Sequence, residues 1–296
     1  MTIARAFDYL KPASVAEAAR ALARYGDRGR LLAGGTDLIS LMTEDIVRPE
    51  AVIDLKGIRG LDGVSLKDGA LRIGSLATFS DIAESNVVRK KFPLIREMIG
   101  WVASNGIRHR ATMAGNICSA VPCCDSGPIL LVYDATVHVA GPKGKRKIPI
   151  AEWFTGPRKT SLHKGEVAVA ITIPQPRRKH AGCFVKLRRY SGEDLAQASV
   201  TVMLFHGQSY RVAFGSVAPT PIRATPIEKL LEGKPITDAL VASAVAMVPQ
   251  IASPITDIRS SKEYRLHMLG VMLERALRAA DSRFEGDGPE YGKELI

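Results

Sequence analysis

The sequence predicts an α+β protein built from three consecutive units, and three observations carry that reading. Short apolar strands alternate with helical periodicity over residues 1–57, the pattern of a small α/β unit with parallel pairing. Hairpin, helix and alternating-strand patterns share residues 58–176, up to the proline and basic punctuation around Pro174, Pro176 and Arg177–Lys179. Residues 177–296 read as three successive strands followed by helices, which is an antiparallel meander with a helical layer.

In the first unit, Ser14 and Glu17 are spaced as a capping box, and Val15, Ala18, Ala19 and Leu22 then recur at helical spacing as far as Gly26. The stretch RLLAGGTDLI, residues 30–39, follows. Leu31, Leu32 and Ala33 read as the buried end of a strand. Gly34 and Gly35 let the backbone turn sharply and approach another group closely. Thr36 and Asp37 suit the start of a helix over Leu38–Met42. A strand–Gly–Gly–helix junction is a ready phosphate site. Ala51–Leu55 is a further short strand.

In the second unit, Leu61–Ile73 alternates around Asp62-Gly63 and Asp68-Gly69 and reads as a hairpin. Thr78 starts a helix that runs through Glu84, and Pro93–Ser104 reads as a helix with Leu94, Met98 and Trp101 toward a core. A loop, Asn105–Arg110, leads into a second small-residue region, RATMAGNICSAVPCCD at 110–125. Its Asn116 and Ser119 offer hydrogen-bonding side chains beside a small backbone, so two separated loops could grip one pyrophosphate from both sides. Pro128–Asp134 reads as helix. Thr136–Ala140, Lys147–Pro149 and Glu166–Ile173 read as strands.

In the third unit, strands fall near Cys183–Arg189, Ser199–His206 and Tyr210–Ala218. Helices fall near Ile227–Leu231, Thr237–Val248 and Lys262–Ala280, the last capped through Ser260–Glu263. The polar stretch after Asp281 reads as frayed. No internal repeat or low-complexity tract interrupts the chain.

Composition and motifs exclude several function classes. Of the 296 residues 46% are hydrophobic, ample for packed cores, and no window reaches about 18 uninterrupted apolar residues, so no transmembrane helix is expected. The opening MTIARAFDYLKP lacks a charged-then-apolar leader pattern. A net charge of +11 would suit nucleic acid, but the cations are dispersed, and the denser groups Lys143–Lys147 and Arg177–Lys179 lie in Pro/Gly-rich connections. Four cysteines, Cys118, Cys123, Cys124 and Cys183, contain no CxxC and are too few for a disulfide scaffold. Cys118 and Cys123 begin a ferredoxin-like spacing, but Ser126 stands where the next ligand would fall. The chain has no GxGxxG, HExxH or GxSxG, and Gly35 replaces the lysine of a P-loop. The absence of a defensible acid/base pair fits a cofactor protein, in which the chain supplies position and electrostatics.

These motifs resemble the flavin-binding subunit of the molybdenum hydroxylases, the xanthine, carbon monoxide and nicotinate dehydrogenases and their relatives. The resemblance covers nearly the whole chain and rests on AGGTDLI at 33–39, ATMAGNIC at 111–118 and Pro122–Asp125. It continues through FTGPRKTSL at 154–162, FVKLRRYSGEDLA at 184–196, GSVAPTPIRAT at 215–225 and SSKEYRLHMLGVML at 260–273. One departure is Ala114, where many relatives have glycine. Some relatives also carry an iron–sulfur cluster in an inserted cysteine-rich loop, and no such insertion is present.

The resemblance implies a PCMH-type, vanillyl-alcohol-oxidase-like FAD-binding fold in two parts, residues 1–57 and 58–176, followed by the family's C-terminal domain, residues 177–296, with a three-stranded antiparallel sheet. It implies non-covalently bound FAD. Leu31, Leu32, Ala33, Gly34, Gly35, Thr36, Asp37 and Leu38 would wrap its diphosphate and ribityl chain, and Ala111, Thr112, Gly115, Asn116, Ser119, Cys124 and Asp125 would line the same cofactor. Asp125 would accept from a ribose hydroxyl. Val102 and Ala168 would pack on its rings. Lys186 would stand near the flavin carbonyl edge, and Glu193 and Asp194, in the YSGED loop, would tune or gate it. No metal site and no catalytic acid/base residue is expected on this chain. The implied role is electron relay. Substrate is hydroxylated at a molybdenum cofactor on a large molybdopterin subunit, electrons pass through [2Fe-2S] clusters on a small iron-sulfur subunit, and the FAD here delivers them to an outside acceptor. A cytoplasmic dimer of heterotrimers is the expected assembly. The alternatives are a free-standing FAD oxidoreductase of the same superfamily and a basic nucleic-acid-binding module.

Overall fold

The computed structural model describes residue 3 and residues 5–296; Met1, Thr2 and Ala4, on which part of the reading of the opening stretch rests, lie outside the described residues. The first unit runs β1 (Asp8–Leu10), α1 (Val15–Tyr25), β2 (Gly29–Leu32), α2 (Leu38–Thr43) and β3 (Ala51–Asp54). Its sheet has the order β1-β3-β2 and is parallel throughout, with Leu10 beside Ile53 and Leu32 beside Asp54. The predicted capping box forms only in part: Ser14 Oγ accepts from the Glu17 N–H, but the Glu17 carboxylate accepts from the Ala13 N–H rather than from that of Ser14. β3 is buried along its whole length, as a central parallel strand must be. Parallel pairing sends the carboxyl ends of β2 and β3 to one edge, the position where ligands bind in open α/β sheets.

The second unit begins with the hairpin β4 (Val64–Lys67) and β5 (Ala70–Gly74), joined by Asp68 and Gly69, both at positive φ, 52° and 72°. That is the two-residue turn whose twist suits a hairpin. Six helices follow: α3 (Phe79–Glu84), α4 (Asn86–Lys91), α5 (Pro93–Gly100), α6 (Asn105–Arg108), α7 (Met113–Ser119) and α8 (Ser126–Val132). Then come β6 (Thr136–Gly141), β7 (Gly144–Pro149), the short pair β8 (Phe154–Gly156) and β9 (Lys159–Thr160), and β10 (Val167–Pro174). The main sheet is antiparallel with order β4-β5-β10-β6-β7, so the last strand is inserted at its centre. Phe79, Phe92, Tyr133 and Trp153 fill the core beneath it.

Two expectations change here. The helix predicted over Pro93–Ser104 stops at Gly100, because Ser104 Oγ turns to cap a new helix by accepting from the Ile107 N–H. The second small-residue region is not a loop. Met113–Ser119 is helical, with Thr112 as its N-cap.

The third unit is β11 (His180–Leu187), β12 (Ala198–Phe205), β13 (Ser209–Gly215) and β14 (Ile222–Arg223), then α9 (Thr225–Leu231), α10 (Asp238–Ala246), α11 (Val248–Ile251) and α12 (Lys262–Glu285). The sheet is four-stranded rather than three-stranded, since Ile222–Arg223 pairs with the edge of β13. α12 lies across the sheet and buries Leu269, Leu273, Ala276, Leu277 and Phe284. Its cap is Ser261, one residue later than the spacing predicts. The stretch after Asp281 is not frayed: α12 continues to Glu285, and Tyr291, Leu295 and Ile296 pack back onto the cores.

Candidate functional site

A cavity of about 510 Å³ opens where the carboxyl end of β2, the α7–α8 region and the start of the third unit meet. Its size suits a buried cofactor or substrate. The first wall is the turn after β2. Gly35 adopts φ +83°, the left-handed region in which a side chain is strained, and its carbonyl accepts from Ile39 N at 2.9 Å to start α2. Gly34 is needed for a different reason. A Cβ there would stand 2.0 Å from the Arg110 carbonyl oxygen, so the first turn lies directly against the residue that opens the second stretch. Lys56 supports this turn from behind, its ammonium 3.4 Å from the Ala33 carbonyl and 2.7 Å from the buried Asp54.

The second wall begins at Thr112, whose Oγ1 accepts from the Gly115 N–H at 2.9 Å. A Cβ on Gly115 would crowd that hydroxyl at 2.9 Å, so the glycine serves the cap. Ala114 lies within the helix, buried, where alanine is at home. Asn116 Oδ1 accepts from Ser126 N at 3.1 Å and ties α7 to α8. Ser119 donates to the Asp37 carboxylate, joining the two walls side chain to side chain.

At the third wall the Lys186 ammonium lies 2.7 Å from Asp125 Oδ2 and 3.1 Å from the Trp101 carbonyl oxygen. Burial pushes the Asp125 carboxyl above its ordinary pKa, and the neighbouring Lys186 charge pulls the other way. The second carboxylate oxygen, Oδ1, has no hydrogen-bond partner among the described residues. An unpaired buried carboxylate oxygen at a cavity wall is costly, and a donor on a bound group would satisfy it. Over this wall runs the 189–195 loop. Asp194 accepts from the Arg189 N–H at 2.5 Å and pairs with its guanidinium at 3.0 Å, while Ser104 donates to Glu193.

The structure brings Leu31 to Leu38, Val102, Ala111, Thr112, Gly115, Asn116, Ser119, Asp125, Ala168 and Lys186 to this one cavity, with Glu193 and Asp194 at its edge. Cys124 is the exception. It is buried behind the wall, its Sγ about Gly127, and its neighbour Cys123 lines the cavity instead. Other lining residues carried no signal of their own, among them Ser75, Phe79, Ile107 and Leu195. Arg158 belongs to the FTGPRKTSL stretch. It lines the cavity from a left-handed backbone, φ +57°, held by its N–H on the Ala120 carbonyl at 2.7 Å. Among the described residues no cluster of three or more His, Cys, Asp or Glu is arranged for a metal, and no helix is long and apolar enough to cross a membrane.

The glycine turn after β2 thus abuts the α6–α7 junction at Arg110, between apolar flanks, with a buried acceptor and cation at one end. Residues 5–176 match the family model described as the FAD binding domain in molybdopterin dehydrogenase, and residues 183–280 match the CO dehydrogenase flavoprotein C-terminal domain. The chain belongs to the FAD-binding subunit family of the molybdenum hydroxylases. Within it, the chain is 33% identical to the carbon monoxide dehydrogenase medium chain of Afipia carboxidovorans, over 94% of this chain and 97% of that one. It is 32% identical to the xanthine dehydrogenase FAD-binding subunit of Escherichia coli, over 92% and 95%. The fold of a carbon monoxide dehydrogenase chain from Hydrogenophaga pseudoflava superposes with a TM-score of 0.92 at 33% identity, covering 96% of this chain and 99% of that chain. Membership of this flavoprotein family matches the mixed sheet-and-helix architecture.

Proposed function

We propose that this chain is the FAD-carrying, electron-transfer subunit of a multi-subunit molybdenum hydroxylase. The observation that carries the proposal is the contact of the two turns, Gly34 against the Arg110 carbonyl, at the wall of one cavity. Leu31–Leu38 would hold the diphosphate and ribityl chain of FAD from one side, and Ala111, Thr112, Gly115, Asn116 and Ser119 from the other. Val102 and Ala168 supply apolar surface for its rings, with Cys123 rather than Cys124 as the nearby thiol. FAD supplies the redox chemistry, accepting electrons and passing them on.

The chain's own groups position and tune. The Lys186 ammonium has three N–H donors, of which Asp125 and the Trp101 carbonyl engage two. The third hydrogen and the unpaired Asp125 Oδ1 are together a donor and an acceptor for the bound cofactor. The cation placed there would stabilise negative charge on a reduced ring. Tethered by Asp194 and Glu193, the 189–195 loop shields that end of the cavity from water.

The reading extends to the assembly and its location. The chain would work with a small iron-sulfur subunit carrying [2Fe-2S] clusters and a large molybdopterin subunit carrying the molybdenum cofactor, as a dimer of heterotrimers in the cytoplasm. Residues 1–57 and 58–176 would form the two-part cofactor domain, and residues 177–296 the family's C-terminal domain. The test is direct. Purified chain, incubated with FAD and desalted, is expected to keep a flavin absorption spectrum at one FAD per chain, and native purification is expected to bring down two companion chains with iron and molybdenum. A colourless protein would sink the cofactor assignment. A flavoprotein that purifies alone and turns over substrate would sink the subunit role.

A further inference from the structure

The segment after α12 does more than end the chain's packing. α12 closes at Gly286, φ +102°, whose N–H donates to the Ser282 carbonyl at 2.9 Å. The chain then reverses so tightly that a Cβ on Gly288 would stand 2.4 Å from the Arg283 backbone nitrogen. The reversal carries residues 289–292 onto the Arg283 guanidinium. Arg283 Nε donates to Pro289 O at 2.8 Å. Nη1 donates to Gly182 O at 2.7 Å and to Glu97 Oε2 at 3.1 Å. Nη2 donates to Glu97 Oε1 at 2.8 Å and to Glu290 O at 2.9 Å. All five donors of the side chain are engaged.

Glu97 is equally complete. Besides Arg283, its Oε1 accepts from Gly292 N at 2.9 Å and its Oε2 from Phe184 N at 2.8 Å. The Tyr291 ring lies 4.2 Å from the guanidinium, and its hydroxyl accepts from Gly182 N at 3.3 Å. Both charged side chains are almost fully buried, at 1% and 4% exposure. A buried pair with every position filled has one low-energy arrangement, because any displacement strands a desolvated charge.

That arrangement joins α5 to β11 beside the cavity. Trp101 follows Glu97 by one helical turn, and Lys186 follows Phe184 by two residues on the same face of β11. They meet where the Trp101 carbonyl accepts from the Lys186 ammonium, and Lys186 and Val102 beside that bond line the cavity. A second link runs alongside: Glu294 lies 3.7 Å from Arg188, whose guanidinium lies 4.5 Å from the Trp101 ring centroid.

We propose that Glu97, Arg283 and residues 289–294 are positioning residues for the flavin site, a strap that locks α5 onto β11 and so sets where the Lys186 ammonium stands. The inference rests on the cofactor reading above. Two variants test it in the full-length setting: deletion of residues 289–296, and Glu97→Gln, which keeps the shape but turns an acceptor toward a donor. FAD affinity, the visible spectrum of the bound flavin and its midpoint potential are measured beside the melting temperature. The expected result is an FAD dissociation constant raised by about tenfold or more, with a displaced flavin absorption band and a lower midpoint potential. Arg283→Lys, with three donors for five acceptors, should show the same changes. Variants that melt earlier but keep FAD affinity within about twofold, with unchanged spectrum and potential, would overturn the proposal. Should the deletion not fold, Glu97→Gln decides by the same readings. Wild-type chain that takes up no FAD overturns the cofactor reading itself, and this inference with it, a result distinct from the other two.

Discussion

Lys186 and Asp125 face each other across 2.7 Å inside the protein, 61 residues apart in sequence, with side chains 2% and 9% exposed. Removing one partner of such a pair leaves a desolvated charge, which costs about 3–5 kcal/mol, whereas replacing both with apolar side chains costs much less. Lys186→Met is therefore expected to destabilise the protein more than Lys186→Met combined with Asp125→Leu. Both are expected to weaken FAD binding. Urea denaturation with a double-mutant cycle checks the first point, and flavin titration the second. A double-variant loss equal to the sum of the Lys186→Met and Asp125→Leu losses would mean the pair is not coupled.

The two glycines of the first turn should fail for different reasons. Gly34→Ala must force the Arg110 carbonyl away, because the new Cβ would stand 2.0 Å from it. Loss of FAD retention is expected with the two walls parted. Gly35→Ala meets only side-chain atoms, at 3.1 and 3.3 Å, but places alanine at φ +83°, a strain of about 1–2 kcal/mol. A lowered melting temperature with FAD still bound is expected there, and a β-branched residue at Gly35 should lose the flavin as well. The comparison is read by desalting followed by absorbance. Gly34→Ala that holds a full complement of FAD would contradict the contact.

Acid sensitivity should be traceable to Glu166. Two hydrogen bonds from Arg146, each 2.7 Å, hold its carboxyl below the usual range against the opposing effect of burial, aided by the His163 N–H. A carboxyl whose pKa falls on folding stabilises fully above its unfolded value of about 4.3. That stabilisation drains away as pH drops through the lower folded value. Glu166→Gln is expected to cost about 1.5–3 kcal/mol at pH 7, and the gap to wild type should close below about pH 4. Thermal melts between those pH values measure it. A gap that widens in acid would be inconsistent with the pairing.

The thiols should be quiet in the folded protein. Burial pushes Cys118 up to about 12, and it also raises Cys124 and Cys183; Cys123 is raised by burial first and then by the Asp125 charge. Few thiolates then exist at pH 8, so an aromatic disulfide reagent is expected to label the native protein slowly and four sites per chain after denaturation. A rapid stoichiometric burst from native protein would show the thiols to be activated.

What could be read in advance was local. Strand, glycine pair and helix start at residues 31–38 follow from backbone freedom and hydrophobic pattern, and the helix cap at Ser14 follows from side-chain spacing. What could not be read was long-range. The reason for Gly34 is a carbonyl 76 residues on, at Arg110. Lys186 reads as a cation in an apolar strand, but its partner lies on α8's approach and its second acceptor at the end of α5. The segment after Asp281 looks loose because its own residues are polar; its order comes from Glu97, 195 residues from Gly292. β14 is two residues long, too short to leave a periodicity.

The hydrogen bond from Ser119 to Asp37 and the abutment of Gly34 on Arg110 are made wholly by protein atoms. Such contacts stiffen the groove, so its walls give up little freedom in holding a dinucleotide between them. The entropy lost on loading falls on the incoming molecule, whose many rotors must be frozen along the groove.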